Sequence, residues 1–248
     1  YDSDLKYWWK DGSINYEALK KFQLAKDRIL HMMPAEIYLR EAIQLDSTYI
    51  SPRVWLMPRL VHYYPEEAKK QYTILQGLIP NANPFEREII EYAGSLLNND
   101  LNGQVYHLRN ALNYSPGDHI LIYSLADVLK TLCNYQEALE TIKPCLEIKW
   151  GFPPTYELAA QCYIHLGKIK EAKNILEEYI TFSSTRYGNN YAILSALYWK
   201  EGDFEKSNKF EKQTFSYYSE VKTNTDVVFK ILSGFYFDLG MYDEALKK

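Results

Sequence analysis

Leu239-Gly240-Met241-Tyr242-Asp243-Glu244-Ala245-Leu246 has three earlier counterparts in this chain. They are Cys133-Asn134-Tyr135-Gln136-Glu137-Ala138-Leu139, Leu166-Gly167-Lys168-Ile169-Lys170-Glu171-Ala172 and Glu201-Gly202-Asp203-Phe204-Glu205-Lys206-Ser207. The small residue that closes each frame stands at 138, 172, 207 and 245, in steps of 34, 35 and 38. Self-similarity at about 34 residues marks a unit of two helices joined by a turn. Such a unit cannot bury its apolar face alone and stacks on its neighbours. Architecture and a broad class of task, binding, follow from this period. The partner does not.

Working outward, the segment 118–147 shows the pattern most plainly. Ile122, Leu125, Ala126 and Leu129 make one helical stripe, Cys133-Asn134 a turn, and Tyr135, Ala138, Leu139, Ile142 and Cys145 a second stripe. The next unit has Pro153-Pro154 at a helix start, then Tyr156, Ala159, Ala160 and Tyr163, a turn at Gly167, and Ile169, Ala172, Leu176 and Tyr179. Tyr191, Leu194, Ser195 and Tyr198 precede Gly202 and then Phe204, Ser207 and Phe210. Phe229, Leu232, Ser233 and Tyr236 precede Gly240, Tyr242 and Ala245. The small residues Ala126, Ala160, Ser195 and Ser233 are expected where the two helices of a unit cross. Ala138, Ala172, Ser207 and Ala245 are expected where the second helix meets its neighbours. Larger side chains there would overpack the joint at about 1–3 kcal/mol. Upstream the repeat degrades. Helices are expected over 15–30, 35–45, 52–63, 66–78, 85–97 and 103–114, with Pro58 kinking or splitting the third.

The four C-terminal units resemble tetratricopeptide repeats in their order of small residue, aromatic, glycine turn and alanine. The resemblance implies an all-α fold, a right-handed solenoid of antiparallel helix pairs of about six units, the last incomplete. Residues 1–84 read as degenerate units, and 85–248 as the array proper, in units 85–118, 119–152, 153–187, 188–225 and a truncated 226–248, all one continuous solenoid. The N-terminal half carries Tyr7-Trp8-Trp9, then Tyr38-Leu39-Arg40-Glu41-Ala42-Ile43-Gln44-Leu45-Asp46-Ser47-Thr48-Tyr49, then Asn83-Pro84-Phe85-Glu86-Arg87-Glu88. It is similar to the repeat region that trails a DNA-binding or kinase domain in bacterial multidomain signalling and transcriptional regulators.

Composition narrows the function. A formal charge of −4 lacks the basic footprint of a nucleic-acid or acidic-membrane binder. Three cysteines without a CxxC spacing leave no disulfide framework or zinc motif. No apolar run approaches a membrane span, and no signal peptide opens the chain. The compartment stays open, the cytoplasm favoured over the periplasm. The five histidines never stand at HExxH spacing, and phosphate-cradling glycine motifs and GxSxG are absent. Adjacent acids such as Glu66-Glu67 and Glu177-Glu178 do not share a helix face. The sequence asks for no catalysis, cofactor or metal.

The resemblance places inward-facing positions on the first helix of each unit. In this sequence they include Tyr123, Asp127 and Lys130 in one unit. Glu157 and Gln161, with His165 beside them, follow in the next. Then come Asn189 and Trp199, with Lys200 adjacent, and finally Lys230 and Phe237. A peptide or protein segment is the expected ligand of this concave groove. Asp127 and Glu157 stand where carboxylate-gripping repeats carry cations, which argues against that chaperone role. The same residues could instead form a solvated face, Trp199 could serve packing as well as anchoring, and the aromatics could alternatively hold a small molecule or glycan. Trp8, Trp9 and Trp55 read as core or cap. Ala245 and Leu246 form an apolar stripe in a short final helix, so continuation of the chain, a partner or self-association is expected to cover that edge. Gel filtration checks this: a strict monomer without an exposed apolar patch would contradict it.

Overall fold

The computed structural model describes residues 15–247, so the motif at Tyr7-Trp8-Trp9 lies outside the described residues. Every regular element among them is helical. In chain order these are α1 Tyr16–Leu30, α2 Glu36–Leu45, α3 Ile50–Tyr63, α4 Pro65–Leu78, α5 Pro84–Leu97, α6 Leu101–Tyr114 and α7 His119–Thr131. There follow α8 Tyr135–Glu147, α9 Pro153–His165, α10 Ile169–Phe182, α11 Gly188–Lys200, α12 Phe204–Glu220, α13 Thr225–Asp238 and the single turn α14 Tyr242–Ala245. Fourteen α-helices are thus described. The chain divides into two compact units, 1–132 and 133–248.

The helices end where the backbone turns left-handed. Gly167, Gly202 and Gly240 have φ of 72°, 83° and 74°, and Cys133 adopts the same conformation at φ 61°. After Gly202, the Asp203 amide reaches the Tyr198 carbonyl and the Gly202 amide the Trp199 carbonyl, both at 3.0 Å. This reversal satisfies carbonyls the helix leaves open. Helix starts are fixed by side chains. The Asn83 side chain accepts from the Glu86 amide at 2.9 Å while Glu86 accepts from the Asn83 amide at 2.8 Å, a reciprocal cap for α5. Asn15, Asp100, Asp118, Asp203 and Asn224 accept similarly at α1, α6, α7, α12 and α13.

In the first unit α1 packs on α2, α3 on α4 and α5 on α6. Phe22, Leu56, Met57, Leu60, Leu75, Ile90 and Leu108 are closed to solvent, and Trp55 meets Phe22 edge-on at 5.5 Å. Pro58 does not split α3, which runs unbroken from Ile50 to Tyr63. The proline lies exposed while Val54, Leu56, Met57 and Leu60 around it are buried, so packing holds the helix across the missing amide. Arg40 ties α2 to α4, gripping Glu67 through two nitrogens at 2.5 and 3.1 Å, and meets Glu36 at 2.8 Å.

In the second unit α9 packs on α10 and α11 on α12, and α11 also contacts α9 and α13. One core runs from Tyr156 through Leu176, Tyr179, Leu194, Leu197 and Leu232 to Tyr236. The crossing of α11 and α12 shows why the small residues recur. Ser195 and Ser207 are fully buried, and the Ser195 hydroxyl lies 3.0 Å from the Ser207 carbonyl and 3.2 Å from its hydroxyl. Ala160 and Ala172 are likewise closed to solvent. The last pair departs from expectation. Ser233 and Ala245 are only half-buried, and the Ser233 hydroxyl turns back to the Lys230 carbonyl at 3.1 Å. A four-residue α14 is too short to seal this joint.

Two outcomes follow. No atom lies within 4 Å of a Cβ built on Gly202, so Gly202→Ala tests conformation alone and should cost about 1 kcal/mol, as the left-handed backbone demands. Cys133→Gly should shift urea unfolding the other way by about 0.5 kcal/mol, the left-handed relief being partly offset by added freedom in the unfolded chain. The opposite order would refute the turn argument. The second outcome concerns acid. The hydrogen bond from Arg40 holds the Glu67 carboxyl below its ordinary value of 4.5. A depressed carboxylate adds stability above that value and loses it as pH falls through the folded one. The melting temperature should therefore decline from about pH 5 downward. Arg40→Ala should flatten part of that decline, by under about 1 kcal/mol because both side chains are about one-third exposed.

Candidate functional site

Three of the expected groove residues in the second unit come together. Glu157 of α9 accepts from Gln161 one turn on, at 3.2 Å, and from Asn189 of α11 at 2.9 Å. A fourth residue, which inspection of first helices alone passes over, completes the set: the Tyr218 hydroxyl of α12 donates to the Asn189 side-chain oxygen. Burial raises the Tyr218 phenol well above the ordinary tyrosine range, so it stays a neutral donor. The result is a polar ladder, Gln161–Glu157–Asn189–Tyr218, running across three helices.

Local sequence explains how Tyr218 gets there. Gly188 opens α11, and a Cβ at that position would collide with the Tyr218 ring and stand 2.7 Å from Tyr217 Cδ1. Only a residue without a side chain lets the ring lie against the helix start and reach Asn189. The signal in the sequence was the pairing of Gly188-Asn189 with Tyr217-Tyr218 on the second helix of the same unit. The Tyr187 hydroxyl adds a longer contact to Asn189 at 3.4 Å.

The remaining candidates in this unit stand elsewhere. Trp199 is half-buried, edge-on to Phe204 at 4.7 Å and to Tyr236 at 6.1 Å. Lys200 donates to the Leu239 carbonyl at 2.6 Å, a cation at the C-terminal end of α13. His165 stacks on Tyr135 at 4.4 Å with ring planes 10° apart. The Tyr135 phenol is pushed up to about 12, first by its hydrogen bond with Cys133, and the Asp238 charge also acts on it. Phe237 is exposed and meets Tyr242 edge-on at 5.0 Å. Lys230 is exposed. Between the end of α12 and the start of α13 lies an open cleft of about 530 Å³, with Phe215 and Val228 as apolar walls and Ser219, Lys222 and Thr225 as polar ones.

Tyr123, Asp127 and Lys130 belong to α7 in the first unit, all half-buried. Lys130 pairs with Asp127 one turn away at 3.0 Å. The neighbouring Tyr92 phenol of α5 is pushed up to about 12 by burial, with the Asp127 charge adding to the shift. Among the described residues no group of three or more His, Cys, Asp or Glu side chains could hold a metal ion. No helix there is long and apolar enough to cross a membrane.

Comparison with known proteins agrees with this geometry. Residues 98–179 match the tetratricopeptide-type family described as anaphase-promoting complex, cyclosome, subunit 3. The crystal structure of MamA protein superposes with a TM-score of 0.51 at 17% identity, covering 66% of this chain and 87% of that one. The APC/C hetero-tetramer Cut9-Hcn1 gives a TM-score of 0.59 at 13% identity, covering 99% of this chain but 46% of that one. A thermophilic TPR protein of Thermus thermophilus gives 0.49 at 21% identity, covering 66% and 86%. No curated protein matches the chain in sequence. The repeating helix pairs and their left-handed turns, together with the first two of these structural likenesses, give the chain the tetratricopeptide-repeat fold.

Proposed function

We propose that the chain is a non-catalytic scaffold that binds a peptide or protein segment on the inward face of its first helices. We further propose that it forms the interaction or sensing arm of a larger bacterial regulatory protein. The observation that supports the binding reading is the ladder through Gln161, Glu157, Asn189 and Tyr218. Its members hold one another in fixed rotamers, so a ligand meets donors and acceptors already ordered and little side-chain entropy is lost on contact. Asn189 spends its oxygen on Tyr218 and one donor on Glu157. A carboxylate can accept several hydrogen bonds at once, and half-buried Glu157 keeps part of its surface at this face. An extended segment carries backbone amides at regular intervals and suits such acceptors. The regulatory reading draws on the likeness of the N-terminal half to repeat regions of multidomain regulators.

Selection of a displayed random-peptide library on the immobilised protein tests the binding reading. The native protein should enrich a consensus, and a Glu157→Ala, Asn189→Ala double variant should lose it while melting within a few degrees of the native chain. The loss expected is about tenfold or more in affinity, two ordered polar contacts at about 1 kcal/mol each. Absence of any enriched sequence, or equal enrichment by both baits, would overturn the groove.

A further inference from the structure

At one end of α11, α12, α13 and α14 the second unit carries a strip of aromatic rings in two contacting groups. Phe204 lies against Trp199 at 4.7 Å, Trp199 against Tyr236 at 6.1 Å, and Phe237, next in sequence, against Tyr242 at 5.0 Å. Lys200 binds the strip together by reaching the Leu239 carbonyl at 2.6 Å. Three of these rings remain open to solvent, Phe204 at 52%, Phe237 at 60% and Tyr242 at 58%. None of them belongs to the polar ladder.

Each exposed ring is followed in sequence by a carboxylate: Glu205 after Phe204, Asp238 after Phe237 and Asp243 after Tyr242, with Glu244 next to the last. Among the described residues no ion pair engages Glu205, Asp243 or Glu244. The cations nearby are committed. Lys200 is spent on the Leu239 carbonyl and Lys206 pairs with Asp203 at 3.3 Å.

This charge pattern decides what can cover the strip. A purely apolar partner would shut water away from Glu205, Asp243 and Glu244 without pairing them, and unpaired buried charge is costly. A partner bringing arginine satisfies both features. The guanidinium plane lies on the face of an exposed ring, and its N–H fork binds a neighbouring carboxylate in a charge-assisted bond.

We propose that the aromatic strip of Phe204, Trp199, Phe237 and Tyr242, with Glu205, Asp238 and Asp243, docks a basic, arginine-bearing segment of a partner protein. This rests on the reading of the chain as a peptide-binding scaffold and assigns a charge preference to the part of that binding face that carries Trp199 and Phe237, away from the polar ladder. The site takes cationic segments and rejects acidic ones.

Fluorescence anisotropy with three labelled decapeptides tests the proposal: arginine alternating with alanine, glutamate alternating with alanine, and serine alternating with alanine. The arginine peptide should bind, more weakly at about 300 mM than at about 50 mM salt, and the other two should not. Phe237→Ala and Asp243→Asn should each weaken it about two- to fivefold, the loss of one exposed ring or carboxylate contact. Both substitutions are at exposed positions, so melting temperature should hold. Failure of the arginine peptide to bind, equal binding of the glutamate peptide, or unchanged affinity in both variants would each overturn the strip. Glu157→Ala with Asn189→Ala serves as the other arm. If it abolishes binding of a library-selected peptide while the strip variants leave all binding unchanged, the strip falls and the groove stands. The reverse pattern removes the groove and keeps the strip.

Discussion

The crossing of paired helices at residues with almost no side chain is the constraint on which the remaining structure rests. Where Ser195 meets Ser207, two backbones come close enough for a hydroxyl to touch the facing carbonyl at 3.0 Å. Two buried hydroxyls are costly only when unpaired, and here each finds the other or a carbonyl. Close approach fixes the rotation of each helix about its axis, because a one-residue slide can bring Leu194 or Lys206 into the joint. That rotation decides everything presented on the other faces. Glu157 and Asn189, 32 positions apart, meet at hydrogen-bond distance because α9 and α11 are both set by such crossings.

The ladder depends on stacking in a second way. Tyr218 reaches Asn189 only over Gly188, so the order of the inward face is tied to how α12 seats against α11. In a repeat array stability is close to a sum of unit and interface terms. Loosening that one interface would therefore release Asn189 and Glu157 together, while the core around Leu56 and Ile90 in the first unit has no part in it.

Much of the fold was legible in the sequence because period and size are local properties. Alanine or serine at steps of 34, 35 and 38 residues and glycine at the turns mark the joints without any knowledge of tertiary contacts. Non-glycine turns were harder to read. Cys133, Asn99, Lys149 and Lys222 all adopt positive φ, and nothing in a cysteine or lysine announces it. Pro58 misled for a related reason, since its cost is borne by buried neighbours that a propensity argument does not see. At the site, the inward positions implied by the resemblance include Asn189, Gln161 and Glu157, which lie within hydrogen-bond distance of one another along the ladder. Tyr218 sits on a second helix and its place depends on a missing Cβ at Gly188 on the first helix of the same unit, a relation no periodic template contains. Trp199 was left between anchor and packing, and the structure gives it neighbours on two sides, Phe204 and Tyr236.

The last pair shows what happens when the crossing is not sealed. Ser233 spends its hydroxyl within its own helix and Ala245 is half-open, so the joint of α13 with α14 is not closed as the earlier crossings are. α13 is also held by α11, through Trp199 on Tyr236 and Lys200 on the Leu239 carbonyl, and by α12, through Phe215 on Phe229. The contacts with α11 carry the exposed aromatic strip. Elements with few sealed contacts open at lower free energy than the core, and a ligand that binds only the closed form stabilises it in proportion to its occupancy. Occupation of the strip would thus tighten α13 onto α11, whose opposite end holds Asn189 in the ladder. The two surfaces would then be linked through one rigid helix, each ligand favouring the arrangement that the other requires.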